Sequence, residues 1–189
     1  MIFKQTFTLV SWSARVAWVL LVLLACVGKS QDFSQVPGVV IDDSPKSTQS
    51  YIGSPSITIL PNGDYLVSHD YFGPGSTETT SGVEKVFISH DKGTTWSLQS
   101  TINGPFWSSL FVYNNDLYIF GMQSDAGIMV IRKSTDNGVT WTTPSTLSTG
   151  LIRTGAYGSA PNQMQVVDGR IWLAASYSAS PVAVSAPVG

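Results

Sequence analysis

Charge is scarce in this chain. Only 12% of its 189 residues are Asp, Glu, Lys or Arg, about half the roughly 25% of ordinary soluble domains. With 10 basic and 12 acidic residues the formal net charge is −2. There is no basic stripe of the kind that binds nucleic acid, and no block of like charges that would read as an interaction tail. Cysteine is scarcer still, Cys26 being the only one. Whatever follows it can form no disulfide, so stability must come from packing. Two histidines, His69 and His90, with no thiol after residue 26, are too few for a zinc site. No Gly-rich phosphate loop is present, and no nucleophile-elbow sequence accompanies His69. No metal or other cofactor is expected. Beyond residue 30, no window has helical periodicity.

Long apolar runs are missing too, with one exception at the N-terminus. Lys4 and Arg15 precede the 12 residues from Val16 to Val27, which fall short of the roughly 20 needed to span a bilayer. That length suits a signal peptide over residues 1–30, with small residues for cleavage after Gly28 or Ser30. Two alternatives stay open: a lipoprotein site at Cys26, since Leu23-Leu24-Ala25-Cys26 resembles a lipobox, and an uncleaved membrane anchor if the run extends back to Trp12. In each case the rest of the chain is exported, to an extracellular or periplasmic location. Residues 31–50 are polar, with Pro37, Pro45 and Asp42-Asp43, and read as a linker or as a closing strand through Val39-Val40-Ile41.

What the chain does have is repetition. Ser89-His90-Asp91-Lys92-Gly93-Thr94-Thr95-Trp96 returns 45 residues later as Ser134-Thr135-Asp136-Asn137-Gly138-Val139-Thr140-Trp141. The shared pattern S-x-D-x-G-x-T-W makes physical sense as a turn. The Asp carboxylate accepts backbone N–H groups ahead of it, the Gly supplies a positive φ, and the Trp indole covers the turn. These are structural roles. Upstream, Ile57–Leu60 turns at Asn62-Gly63 into Tyr65–Val67, and the unit recurs around Asn115 and Asp168, at spacings of 53 and 53 residues. Apolar strands flanking Asn-Gly-type turns are hairpins. Val86–Ile88 and Ile128–Ile131 supply third strands, and Trp96–Leu98 and Trp141-Thr142 open fourth strands. The expected fold is all-β: a partial β-propeller of four-stranded antiparallel blades, with blades at about 51–104, 105–150 and 151–189. The third strand of the last blade would be Val182–Ser185.

The S-x-D-x-G-x-T-W turns resemble the Asp box (BNR repeat) of the sialidase superfamily. Tyr51–Ile57, Leu60–Tyr65, Ser68–Pro74, Phe106–Val112 and Ser185–Pro187 extend the likeness to everything from about residue 50 onward. The resemblance implies a six-bladed propeller of which about three blades are present, in a secreted carbohydrate-active protein of glycoside hydrolase type. It also implies an arginine in an Arg-Ile-Pro motif that clamps the substrate carboxylate. Here the matching stretch is Gly53-Ser54-Pro55, which lacks the guanidinium needed for bidentate pairing with a carboxylate and argues against sialic acid. Two other readings remain: a non-catalytic glycan-binding propeller, and a truncated inactive fragment.

The candidate site follows from the loop between the second and third strands of the first blade, read as Ser68 to Val83. Asp70 is the candidate general acid/base, because glycoside cleavage needs carboxyl groups; the competing reading is an Asx-turn. His69 and Tyr71 are candidate substrate contacts beside it, while Glu78 reads as a solvated loop residue. Trp107 is a candidate stacking platform for a sugar ring, against simple core packing. Arg153 and Tyr157, read at the start of the third blade, are the candidate contacts for an acidic sugar. Gln123, Ser124 and Asp125 are weaker candidates on the equivalent loop of the second blade. His90 sits at a variable position of the first box and reads as a rim residue. The expected partner is a glycan or oligosaccharide. Oligomeric state is not legible.

Overall fold

A computed structural model describes residues 32–159 and 164–177. The expected signal peptide or anchor, Cys26 and the strand at Val182–Ser185 lie outside the described residues. The first sheet contains β1 (Tyr51–Ile59), β2 (Tyr65–Phe72), β3 (Gly82–Ser89) and β4 (Ser97–Gly104), in that order and all antiparallel. The second contains β5 (Phe106–Tyr113), β6 (Asp116–Met122), β7 (Gly127–Ser134) and β8 (Leu151–Gly158). β9 (Gln165–Val167) and β10 (Arg170–Trp172) form a further hairpin, and β11 (Ser176–Tyr177) adds to β8. The expected all-β architecture of four-stranded antiparallel blades is present.

The hairpins form where their turns can be made. Asn114-Asn115 and Asp168-Gly169 are two-residue loops in which both residues have positive φ, the twist that matches antiparallel strands. Apolar residues then alternate across each strand. Leu60, Leu66, Val86, Ile88 and Ile102 of the first sheet meet Leu110, Leu117 and Ile119 of the second, with Trp141 against them. A second cluster of Phe111, Phe120 and Met122 lies on the far face of the second sheet and receives Met164 and Leu173.

Both S-x-D-x-G-x-T-W turns adopt one geometry. Ser89 Oγ donates to Asp91 Oδ1 at 2.8 Å and accepts the Gly93 N–H at 2.8 Å. Asp91 also accepts the N–H and hydroxyl of Thr95, and the Trp96 indole N–H caps the Gly93 carbonyl at 3.1 Å. Ser134, Asp136, Gly138, Thr140 and Trp141 repeat every one of these bonds. Lys92 and Asn137 join Gly93 and Gly138 at positive φ. The second turn also stitches the sheets together, since the Gly138 carbonyl accepts Ser100 Oγ at 2.6 Å.

Of the two readings of residues 31–50, no strand forms at Val39–Ile41; the segment around it is tied down by a side chain, with Asp42 Oδ2 accepting His69 Nε2, Lys85 Nζ and the Tyr71 hydroxyl. Two expectations need correction. The fourth strand of the second blade does not begin at Trp141-Thr142. Thr142 pairs with Lys133, then Pro144 removes a donor and Leu147–Thr149 form a 3₁₀ turn. The fourth strand follows as β8, nine positions later relative to its box than in the first blade. Leu151–Gly158 therefore closes the second blade, pairing with β7, and does not open the third.

Candidate functional site

The two sheets meet along their inner strands, β1 and β5, and each inner strand carries the same distortion. Ladder register slips between Gly53 and Ser56 in β1 and between Phe106 and Ser109 in β5. Inside each slip sits one residue at φ +48°, Ser54 in the first and Trp107 in the second, 53 positions apart. A left-handed tryptophan in a strand is sterically unfavourable, so something must hold it. Asp70 does: its Oδ2 accepts the Trp107 N–H at 2.6 Å. A β-bulge of this kind re-aims a side chain, and here it turns the indole towards a cavity.

That cavity, about 350 Å³, is lined by Gly53, Ser54, Phe72, Glu78, Phe106, Trp107 and Asp125. Phe106 stacks on Trp107 with centroids 5.2 Å apart. Glu78 comes from the β2–β3 loop and Asp125 from the β6–β7 loop, and the two loops are joined by a 2.7 Å bond from Asp125 N–H to the Glu78 carbonyl. A second tie runs from Gly82 N–H to the Gln123 carbonyl at 2.9 Å. Glu78 Oε2 accepts the Gly73 N–H at 3.0 Å. Partial burial pushes the Glu78 carboxyl up, the Gly73 N–H opposes this, and the nearby Asp125 charge adds to the rise. Glu78 is thus half-sheltered at a cavity wall and not a solvated loop residue. Its Ser/Thr neighbours concealed this, because they serve to close the loop on itself through bonds such as Thr77 to Ser81 and Thr80 to Thr77.

The structure separates the residues that were adjacent in sequence. β2 extends to Phe72, so His69, Asp70 and Tyr71 occupy a strand and not a loop. Successive strand side chains point to opposite faces. Asp70 faces the second sheet and is fully buried, so it touches no solute in this arrangement. His69 and Tyr71 face the other way and bind Asp42 at 2.9 and 3.2 Å. His69 also stacks against Phe87 at 5.6 Å. Neither lines the cavity.

Arg153 is exposed on β8, opposite Met129 in the ladder. Tyr157 packs in the second apolar cluster, its ring 5.0 Å from Tyr177. They belong to the last strand of the second blade and not to the start of the third, and neither lines the cavity. His90 pairs with Asp64 at 3.0 Å, linking the first box to the first hairpin turn at the other end of the strands. Of the sequence candidates, the cavity gathers Trp107 and Asp125.

One buried group was not among the sequence candidates. Glu84, on β3, lies directly across the ladder from Asp70 and is fully buried. Burial first, and then the neighbouring Asp70 charge, push its carboxyl well above the usual glutamate range; the Ser68 and Ser108 hydroxyls beside it pull the other way. Asp70 is also pushed up by burial, against the Trp107 N–H that lowers it.

No family model matches the chain, and no curated protein matches its sequence. Among solved structures, it is similar to an α-L-arabinofuranosidase from Fusarium graminearum in complex with an iminosugar inhibitor, with 19% identity over 55% of this chain and 33% of that one, TM-score 0.46. It is also similar to an α-L-arabinanase from Penicillium chrysogenum complexed with arabinobiose, with 18% identity over 64% of this chain and 39% of that one, TM-score 0.45. A sialidase from Trypanosoma rangeli is similar at 16% identity over 60% of this chain and 18% of that one, TM-score 0.38. The matched part spans well under half the length of each.

Proposed function

We propose that the cavity at the inner edge of the two blades binds a neutral glycan, and that the chain is a carbohydrate-active propeller of glycoside hydrolase type. The observation that carries this is the cavity lining: an indole and two phenyl rings beside two carboxyls, with no Arg or Lys among the lining residues. Aromatic faces pack against the apolar faces of sugar rings, and carboxyls accept sugar hydroxyls. Two acidic groups with no cation repel an anionic sugar, in line with Gly53-Ser54-Pro55 lacking a guanidinium. Glu78, its carboxyl raised by burial and by Asp125, suits a general acid that protonates the departing oxygen. Asp125 is its partner carboxylate across the cavity mouth. Asp70 is a positioning residue for Trp107 in this reading.

The two S-x-D-x-G-x-T-W turns are read as Asp boxes that brace the blades, and residues 1–30 as an export signal. Hydrolysis of a neutral oligosaccharide by the full chain tests the catalytic part. Glu78→Gln should lower the rate by roughly 10²–10⁴-fold, the usual worth of general acid catalysis, while leaving binding intact. An unchanged rate would remove Glu78 from the mechanism. Binding with no turnover in the unmodified chain would leave the non-catalytic reading in its place.

A further inference from the structure

The carboxyl pair behind Trp107 is the feature that the glycan reading leaves unused. Asp70 and Glu84 are directly opposed on β2 and β3, which brings their Cβ atoms to about 4.5–5.5 Å. Both are fully buried. The Ser68 and Ser108 hydroxyls are beside Glu84, yet neither Glu84 oxygen, nor Asp70 Oδ1, nor either hydroxyl has a hydrogen-bond partner of good geometry. The space cannot loosen easily, because Gly121 presses on Ser108 so closely that even a methyl group would collide with its hydroxyl. Two carboxylates side by side in a dry interior cannot both stay ionised. Asp70 Oδ2 takes the Trp107 N–H, and the Ser54 hydroxyl also lies beside the Asp70 carboxyl.

We propose that Asp70 and Glu84 form a proton-sharing carboxyl pair, one proton between two groups, that holds the Trp107 backbone in its left-handed conformation and so sets the wall of the cavity. The proton resides on Glu84, the more enclosed group. Asp70 remains an anion and makes a charge-assisted bond to the Trp107 N–H. Glu84 is therefore a positioning residue acting through Asp70. The other titratable groups whose charge reaches the pair are Glu78 from the β2–β3 loop and His69, which lies on the opposite face of β2 against Asp42. β1 and β5 contribute only Ser54 and Ser108. Removing the shared proton puts two charges in the pair, and the strand junction must then open. What Trp107 is for rests on the glycan reading; the pair itself does not.

The test needs no sugar. Infrared spectra of the full chain at pH 7 should contain the carbonyl band of a protonated carboxylic acid, absent from Glu84→Gln. As pH is raised, tryptophan emission assigned to Trp107 by its loss in Trp107→Phe should shift in the unmodified chain and stay flat in Glu84→Gln, whose amide imitates the protonated acid. Asp70→Asn removes the neighbouring charge, so the protonated band should disappear at a lower pH than in the unmodified chain. Absence of a protonated carboxyl at pH 7 would overturn the proposal, and that measurement needs no variant. The same pH response in Glu84→Gln, or no displacement in Asp70→Asn, would also overturn it. A cavity that binds no sugar would sink the glycan reading and leave these outcomes unaffected.

Discussion

Gly82 shows how tightly single residues are specified at the junction of the blades. It opens β3, and a Cβ there would run into the Pro105 carbonyl and crowd Phe106. Gly82→Ala should destabilise the chain by about 1–3 kcal/mol, the usual cost of forcing atoms into a packed interior, read as a lower urea midpoint at unchanged slope. A midpoint equal to that of the unmodified chain would mean that this junction is looser than it appears. At the same scale the sequence was least legible. His69, Asp70 and Tyr71 are neighbours in the chain and look like one constellation. The strand places the middle residue under Trp107 and the outer two on Asp42, a division that only strand alternation explains. Glu84 shares its strand face with Val86 and Ile88, so alternation points it inward, but a lone carboxylate in that pattern reads as an exception to the core. Its neighbours, Asp70 on β2 and Ser108 on β5, come from other strands, which the local pattern cannot report.

At the scale of elements, the turns were the most legible part because their chemistry is local. Asp91 and Asp136 each bind a threonine and a serine a few residues away, and those bonds hold both carboxyls at about 2, below the ordinary 3.8. A depressed folded-state value contributes stability above the ordinary one and loses it as protons bind. The turns should thus weaken as pH falls from about 3.8 towards 2. In Asp91→Asn with Asp136→Asn, thermal unfolding followed from pH 5 down to 2 should have a flatter acid limb. An equally steep limb would assign the acid sensitivity elsewhere. The fourth strand of the second blade was less legible. Thr142 bonds to Lys133, but Pro144 and a 3₁₀ turn follow, and the strand itself begins only at β8. The Thr146–Thr149 capping box that closes this turn is visible in sequence only once the interruption is known.

At the scale of the molecule, the blades are held by an apolar face and a few polar stitches. Leu66 is fully buried at the centre of that face, and Leu66→Ala should cost about 2–5 kcal/mol. Arg132 is one of the stitches. Its guanidinium spans the sheets, donating to the Asn103 carbonyl at 3.1 Å and the Thr142 carbonyl at 3.0 Å, while burial lowers its pKa from the ordinary value. Arg132→Ala should destabilise by roughly 1.5–3 kcal/mol, the range for hydrogen bonds to charged groups, in urea titrations. A change under half a kcal/mol would show the stitch to be dispensable. These contacts bring the β2–β3 and β6–β7 loops together, and so create the cavity from residues 47 positions apart, Glu78 and Asp125.

The proposed binding of a neutral sugar on Trp107 can be measured in solution. Calorimetric titration of the full chain with arabinobiose, cellobiose and sialyllactose, beside Trp107→Ala, tests it most directly. At least one neutral disaccharide should bind, the sialoside should bind more weakly or not at all, and the variant should lose up to about tenfold in affinity, the worth of an aromatic contact of about 0.5–1.5 kcal/mol. A sialoside that binds more tightly than either neutral sugar, or neutral-sugar affinity that survives Trp107→Ala, would contradict it.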